Sequence, residues 1–145
     1  MIGLLQRVSE ASVSVHGEIV ASIGRGLVVL VGVRRGDTRA DALRLTERIL
    51  GYRVFPNDQE RMNLSLSDLG LGLLLVPQFT LAADTRKGRR ASFTRAASPD
   101  AGRECFEFML EQCRERVPQV QSGIFGAHMQ VALINDGPVT FWLES

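Results

Sequence analysis

Histidine and cysteine are scarce in this chain, two of each in 145 residues, and neither type forms a pattern that catalysis or metal binding needs. His16 precedes a turn glycine and is expected in solvent, while His128 falls in a run read as a strand. No Cys/His cluster has zinc spacing, and the scattered acids lack the spacing of a calcium loop. Cys105 and Cys113 share a helical stripe, which sets their Cα atoms about 12 Å apart at roughly 1.5 Å per residue. That is too far for a disulfide, so both are expected as reduced core thiols, in keeping with a cytoplasmic protein. A nucleophile-elbow motif is missing. Gly24-Arg25-Gly26 lacks the third glycine and following helix of a dinucleotide loop, and no Gly-Lys-Ser/Thr phosphate loop exists. A Ser-His-Asp grouping stays open on sequence grounds, with no motif in its favour. No metal or cofactor is expected. An enzyme built on this chain would rely on backbone donors, hydroxyls and the substrate itself.

Charge of one sign is also lacking. The net charge is +1 and the charged fraction 23%, so nucleic-acid binding would need a local patch rather than a basic surface. No apolar run approaches the roughly 18 residues of a membrane span, and Met1–Arg7 has no signal-peptide pattern. The 45% apolar content suits one folded domain over residues 1–145 with a real core.

Along the chain, Met1–Val8 opens a strand. Ala11–Val15 alternates valine and serine at the period of a half-buried strand, His16-Gly17 turns it, and Glu18–Ile23 returns as a hairpin partner. Leu27–Val33 is continuous and β-branched, the signature of a strand covered on both faces. Asp37 or Thr38 caps a helix over about 38–50, which Gly51 can end. Tyr52–Phe55 reads as a short strand, Pro56-Asn57-Asp58 as a turn, and Met62–Leu66 as another alternating segment. Leu73–Val76 begins a second buried strand. Pro77 cannot donate to a ladder, so the strand is at an edge, bulged or ending there. Ser98-Pro99-Asp100 starts a helix whose buried stripe is Phe106, Leu110, Cys113 and Val117. Ala127–Ile134 and Val139–Leu143 read as strands joined by a hairpin turn at Asn135-Asp136-Gly137-Pro138. The class is α+β: a curved, mostly antiparallel, barrel-like sheet of seven or eight strands with two main helices.

Two stretches and one loop stand out. Taken alone, Thr80 in Pro77-Gln78-Phe79-Thr80-Leu81 is an ordinary strand threonine, and Gly137-Pro138 a plain turn. The loop Ala82–Arg95 carries Arg86, Lys87, Arg89, Arg90 and Arg95 against one acid, Asp84. It is either a solvated surface or a set of phosphate contacts.

Together these pieces resemble the D-aminoacyl-tRNA deacylase (D-tyrosyl-tRNA deacylase) family, over nearly the whole chain. The likeness runs through Gln6-Arg7-Val8, Tyr52–Phe55, Met62–Ser65, Gln78–Thr85, Phe125–Met129 and Asn135–Thr140. The two signatures are a Ser-Gln-Phe-Thr-Leu-like stretch and an Asn-x-Gly-Pro-x-Thr stretch, both present in order. The resemblance implies a metal-free homodimer with active sites at the subunit interface. It would hydrolyse the ester of D-aminoacyl-tRNA, and of mischarged glycyl-tRNA, in translational proofreading. It assigns Gln78, Phe79 and Thr80 to catalysis, with backbone N–H groups around Phe79 and Thr80 stabilising an oxyanion. Gly137 and Pro138 become a chirality gate in the partner subunit through a cis peptide, with Arg7 as its brace. Phe125 and Met129 match positions lining the terminal-adenosine pocket, and Arg86, Lys87, Arg89 and Arg90 are left for the tRNA backbone. Pro77 departs from the family's usual serine. A subgroup with relaxed chiral selectivity has proline there, but alanine where this chain keeps Phe79. Relaxed selectivity is therefore one alternative, and a non-catalytic RNA-binding module is the other.

Overall fold

The computed structural model describes residues 1–145. The chain runs β1 (Ile2–Val15), β2 (Glu18–Ile23), β3 (Gly26–Gly32), α1 (Arg39–Gly51), β4 (Phe55–Pro56), β5 (Met62–Leu64), a one-turn α2 (Leu66–Leu69) and β6 (Gly72–Pro77). A 3-10 helix (Phe79–Ala82), α3 (Pro99–Arg114), β7 (Val120–Ser122) and β8 (Gln130–Glu144) complete it. It is an α+β fold with a barrel-like sheet.

The 14-residue β1 organises that sheet. One edge pairs with β3 over Ile2–Val8 and with β2 over Ala11–Val15, and the other edge pairs with β8 along nearly its whole length. These ladders are antiparallel; β3–β6 and β6–β7 are parallel, which makes the sheet mixed. Met1–Val8 and Ala11–Val15 belong to one strand, which bends between two partners. His16 and Gly17 take positive φ, 51° and 79°, as a two-residue hairpin turn requires.

Sidedness follows from strand alternation. Leu27, Val29, Leu73 and Leu75 face α1 and α3, meeting Leu45, Ile49, Phe106 and Met109 in the larger core. Their neighbours Val28, Leu74 and Val76 point the other way, onto Val8, Ala11, Val13 and Ala21, where β1 and β2 curl over. Burying a Leu or Val fully is worth roughly 1.5–3 kcal/mol, so the run Leu73-Leu74-Leu75, fully buried, is held from both faces. Thr38 caps α1, its N–H and Oγ1 both donating to Asp41.

Several local expectations change. Tyr52–Val54 is not strand; pairing there is confined to Phe55 and Pro56 against β5. Leu66 belongs to α2, nucleated by the reciprocal Ser65–Asp68 bonds of a capping box and ended by left-handed Gly70. Ala127–Met129 precede β8, so His128 lies in a loop. Val120–Ser122 forms a strand, β7, that the sequence pattern did not suggest.

Candidate functional site

The β6 strand stops at Pro77, as a residue without an N–H dictates. The expected strand does not continue through Gln78–Leu81; the chain turns into the 3-10 helix instead. Gln78 N–H still donates to Val31 O at 2.7 Å, and Leu81 N–H to Gln78 O at 3.2 Å. Gly32 admits this close packing. A Cβ there would lie 2.9 Å from Leu81 Cβ and 3.2 Å from Gln78 O. Phe79 and Thr80 open the helix, so neither N–H has a carbonyl within it, and neither donates to a backbone carbonyl elsewhere. The Gln78 amide donates to Thr80 Oγ1. No imidazole or carboxylate bonds to that hydroxyl.

Beside this turn lies a cavity of about 450 Å³, lined among others by Pro77, Gln78, Phe79, Phe125, His128 and Met129. The structure thus joins two sequence-predicted groups, the 78–79 segment and the Phe125/Met129 pair, at one pocket. Phe125 is fixed by Phe106, with ring centroids 6.2 Å apart, and by the Arg103 guanidinium 5.0 Å from its ring centre. Gly102 lies against it, where a Cβ would touch the ring at 3.4 Å. Met129 Sδ accepts from Ile124 N–H at 3.4 Å and takes the space beside Gly123, where a Cβ would lie only 2.7 Å from the sulfur.

The Asn135–Pro138 stretch is not a hairpin turn. It lies inside β8: Asn135 pairs with Val8 and Thr140 with Gln6, and the intervening residues loop out from one continuous strand. The reason is Asn135. Its Oδ1 accepts from Val139 N–H at 2.6 Å, while its Nδ2 donates to Thr140 Oγ1 at 2.9 Å and Val139 O at 3.3 Å. This side-chain clip replaces the ladder bonds that the looped residues forgo. Arg7 sits on β1 at the register left without a β8 partner. Its Nε donates to Asp136 O at 2.8 Å and its Nη1 to Val54 O at 2.7 Å. The Gly137–Pro138 peptide is cis, and Gly137 has φ 147°. A Cβ at Gly137 would lie 2.7 Å from Val139 Cγ2 and 3.3 Å from Arg7 Nη2. Gly137 and Pro138 are exposed and do not line this chain's own pocket.

The basic loop is less uniform than its composition. Arg86 Nε and Nη2 grip the Asp84 carboxylate at 2.9 and 2.6 Å, and Arg95 Nε lies 3.8 Å from it. The Arg86 side chain, then its backbone N–H, hold the Asp84 carboxyl well below the usual carboxylate range. Lys87, Arg89 and Arg90 are exposed and form no ion pair. Both cysteines are buried and unpaired; burial pushes the Cys113 thiol up to about 11. No three His, Cys, Asp or Glu side chains cluster as metal ligands would.

Two features of the site escaped the sequence reading: the Asn135–Thr140 clip and His128 as a pocket residue. Both had a signal: Asn135 and Thr140 their fixed places in the Asn-x-Gly-Pro-x-Thr stretch, and His128 its place in the Phe125–Met129 stretch.

A family model described as D-Tyr-tRNA(Tyr) deacylase matches residues 4–144. The chain is 66% identical to a protein of Thioalkalivibrio sulfidiphilus, across 99% of this chain and 97% of that one. It is 62% identical to one of Alkalilimnicola ehrlichii, across 100% and 97%. Both are named D-aminoacyl-tRNA deacylase. Among solved structures, one titled c-Myc DNA Unwinding Element Binding Protein is 38% identical with a TM-score of 0.95, covering 100% of this chain and 99% of that one. A probable eukaryotic D-amino acid tRNA deacylase, 19% identical with a TM-score of 0.83 over 99% of this chain and 98% of that one, shares the fold.

Proposed function

The chain belongs to the D-Tyr-tRNA(Tyr) deacylase family, and from that premise we propose that it hydrolyses the ester of D-aminoacyl-tRNA, releasing tRNA and the D-amino acid, as a cytoplasmic homodimer. The observation that carries this reading is the pair of uncommitted N–H groups on Phe79 and Thr80 beside an apolar pocket of nucleoside size.

The terminal adenosine enters the pocket with its base against Phe125 and Met129; stacking on an aromatic ring is worth roughly 1–3 kcal/mol. The scissile carbonyl then lies at the Phe79–Thr80 turn. Water attacks the carbonyl carbon, and the carbonyl electron pair becomes an oxyanion that the two N–H groups receive. Loss of one such donor typically lowers the rate by about 10²–10³. The intermediate collapses by breaking the bond to the ribose oxygen, which leaves with a proton. Thr80 is not the nucleophile, because its hydroxyl accepts from Gln78 and has no base to deprotonate it. It positions water or substrate, and a neighbouring ribose hydroxyl assists proton transfer.

Chirality is read by exclusion. Gly137 and Pro138 of a second copy fill the space an L side chain would need, and Arg7 and Asn135 hold that segment in shape. A D side chain points outward, and glycine, having none, also passes. Lys87, Arg89 and Arg90 contact the tRNA backbone, with Arg86 shared between Asp84 and phosphate.

The test is turnover of D-tyrosyl-tRNA at sub-stoichiometric protein. Binding without hydrolysis would leave an RNA-binding module instead. Pro77 favours a second reading, relaxed chiral selectivity, because it lines the pocket; release from an L-ester at a comparable rate would establish it.

A further inference from the structure

We propose that the Phe79–Phe93 ring pair is a stacking subsite for the penultimate nucleotide of the tRNA 3′ end. The inference rests on the deacylase reading, which fills the adjoining pocket with the terminal adenosine. Phe79 and Phe93 are 58% and 45% exposed, whereas the other five phenylalanines are all buried or half-buried. The two rings lie side by side in solvent, a contiguous aromatic surface rather than a single exposed side chain.

Their placement gives the pair a direction. Phe79 lines the pocket and Phe93 does not, so the pair leads from the pocket rim onto the basic loop. The rings touch at 5.2 Å between centres and are tilted by 49°. A base therefore stacks on an outer face rather than between them. Phe93 is also preset. Its neighbour Ser92 exchanges two backbone hydrogen bonds with Asp84, at 2.8 and 3.0 Å, and Phe93 O accepts from Ala96 N–H at 3.0 Å. Asp84 is in turn clamped by Arg86.

Charge selects the occupant. Lys87, Arg89 and Arg90, on the same loop, have no carboxylate partner. An aromatic platform flanked by uncommitted cations matches a nucleotide, one face for the base and a cation for its phosphate.

The test compares D-aminoacyl esters of adenosine and of the dinucleotide cytidylyl-adenosine. Wild-type protein is expected to show a kcat/KM higher by roughly 5- to 150-fold on the dinucleotide, the range of one stacked base. Phe93→Ala should lose most of that gain while its rate on the adenosine ester is unchanged. Phe93→Trp should retain it, and Phe93→Leu, apolar but without a π face, should not. Equal gains in wild type and Phe93→Ala overturn the proposal, as does an equal loss on both esters. So does a Phe93→Ala variant that no longer self-associates in sedimentation when wild type does, since the ring is then a subunit contact. If wild type hydrolyses neither ester, the deacylase reading itself has failed. Calorimetric binding of the free dinucleotide and of adenosine then decides the subsite: weaker dinucleotide binding in Phe93→Ala supports it, and unchanged binding ends it.

Discussion

Replacing Arg7 by methionine should loosen the segment around Gly137 and leave the pocket at Phe125 and Met129 intact. The guanidinium makes two hydrogen bonds to carbonyls, 2.8 Å to Asp136 O and 2.7 Å to Val54 O, from a side chain only 13% exposed. Hydrogen bonds from charged donors contribute about 1.5–3 kcal/mol when shielded, and less in solvent. The Val54 bond is partly buried and the Asp136 bond is exposed, so their sum is about 2–3 kcal/mol. The ion pair to Asp136 Oδ2 at 3.7 Å adds little, because exposed pairs are worth about 0–1 kcal/mol. Methionine keeps the stem and its packing, which isolates the bonds. For a chain of this size the loss corresponds to a Tm lower by roughly 5–10 °C. Thermal unfolding by circular dichroism measures it. The functional part is the Asp136 contact: kcat/KM on a D-ester should fall by about tenfold, the equivalent of 1.4 kcal/mol, and D-over-L preference should shrink. Arg7→Lys should recover part of the stability and little of the selectivity, since a single ammonium cannot reach both carbonyls. An Arg7→Met variant with wild-type Tm and wild-type selectivity would refute the brace.

Thr80→Ala should keep activity within about tenfold of wild type, since no base is placed to deprotonate its hydroxyl; complete loss with substrate binding intact would show a nucleophile. Replacing Lys87, Arg89 and Arg90 together by alanine should weaken tRNA binding, most strongly at low salt. It should also flatten the slope of log affinity against log salt by about 2, at roughly 0.7–0.9 per phosphate contact, as filter binding across a salt series would record. Cys113 stays protonated in the fold to about 11, against 9.0 for a free thiol. The folded state thus holds its proton more tightly than the unfolded one, and stability should fall as pH rises from about 9 to about 11. Denaturant titrations should show that fall to be smaller in Cys113→Ala by about 2 kcal/mol, within the limit of about 1.4 per pH unit; parallel pH profiles would contradict it.

Much of the fold was legible because single-element patterns decide it. Leu27–Val33 and Leu73–Val76 are apolar on both faces, and only a strand sandwiched between two cores satisfies that. Ser98-Pro99 set the start of α3 through its cap and its fixed φ. What failed was non-local. Asn135–Pro138 has the composition of a turn, but β1 is long enough to template both flanks, so the strand continues and Asp136–Val139 bulge out of it. The same limit hid β7, whose pairing depends on β6. At the site, the motif residues Gln78–Thr80 and Phe125 were readable through family resemblance. Composition, however, counted the basic loop as five equivalent cations, although Asp84 takes two of them. Phe93 carried no signal, because exposure of an aromatic ring is a property of the folded surface alone.

In the proposed mechanism, main-chain atoms of Gly137 and Pro138 select the substrate by excluding an L side chain. Initial deacylation rates for D-tyrosyl, L-tyrosyl and glycyl esters on one tRNA test it most directly. The expected result is fast release of the D-amino acid and of glycine, and little release of L-tyrosine. L-tyrosyl release at the D rate, or a glycyl ester as inert as the L-ester, would contradict it.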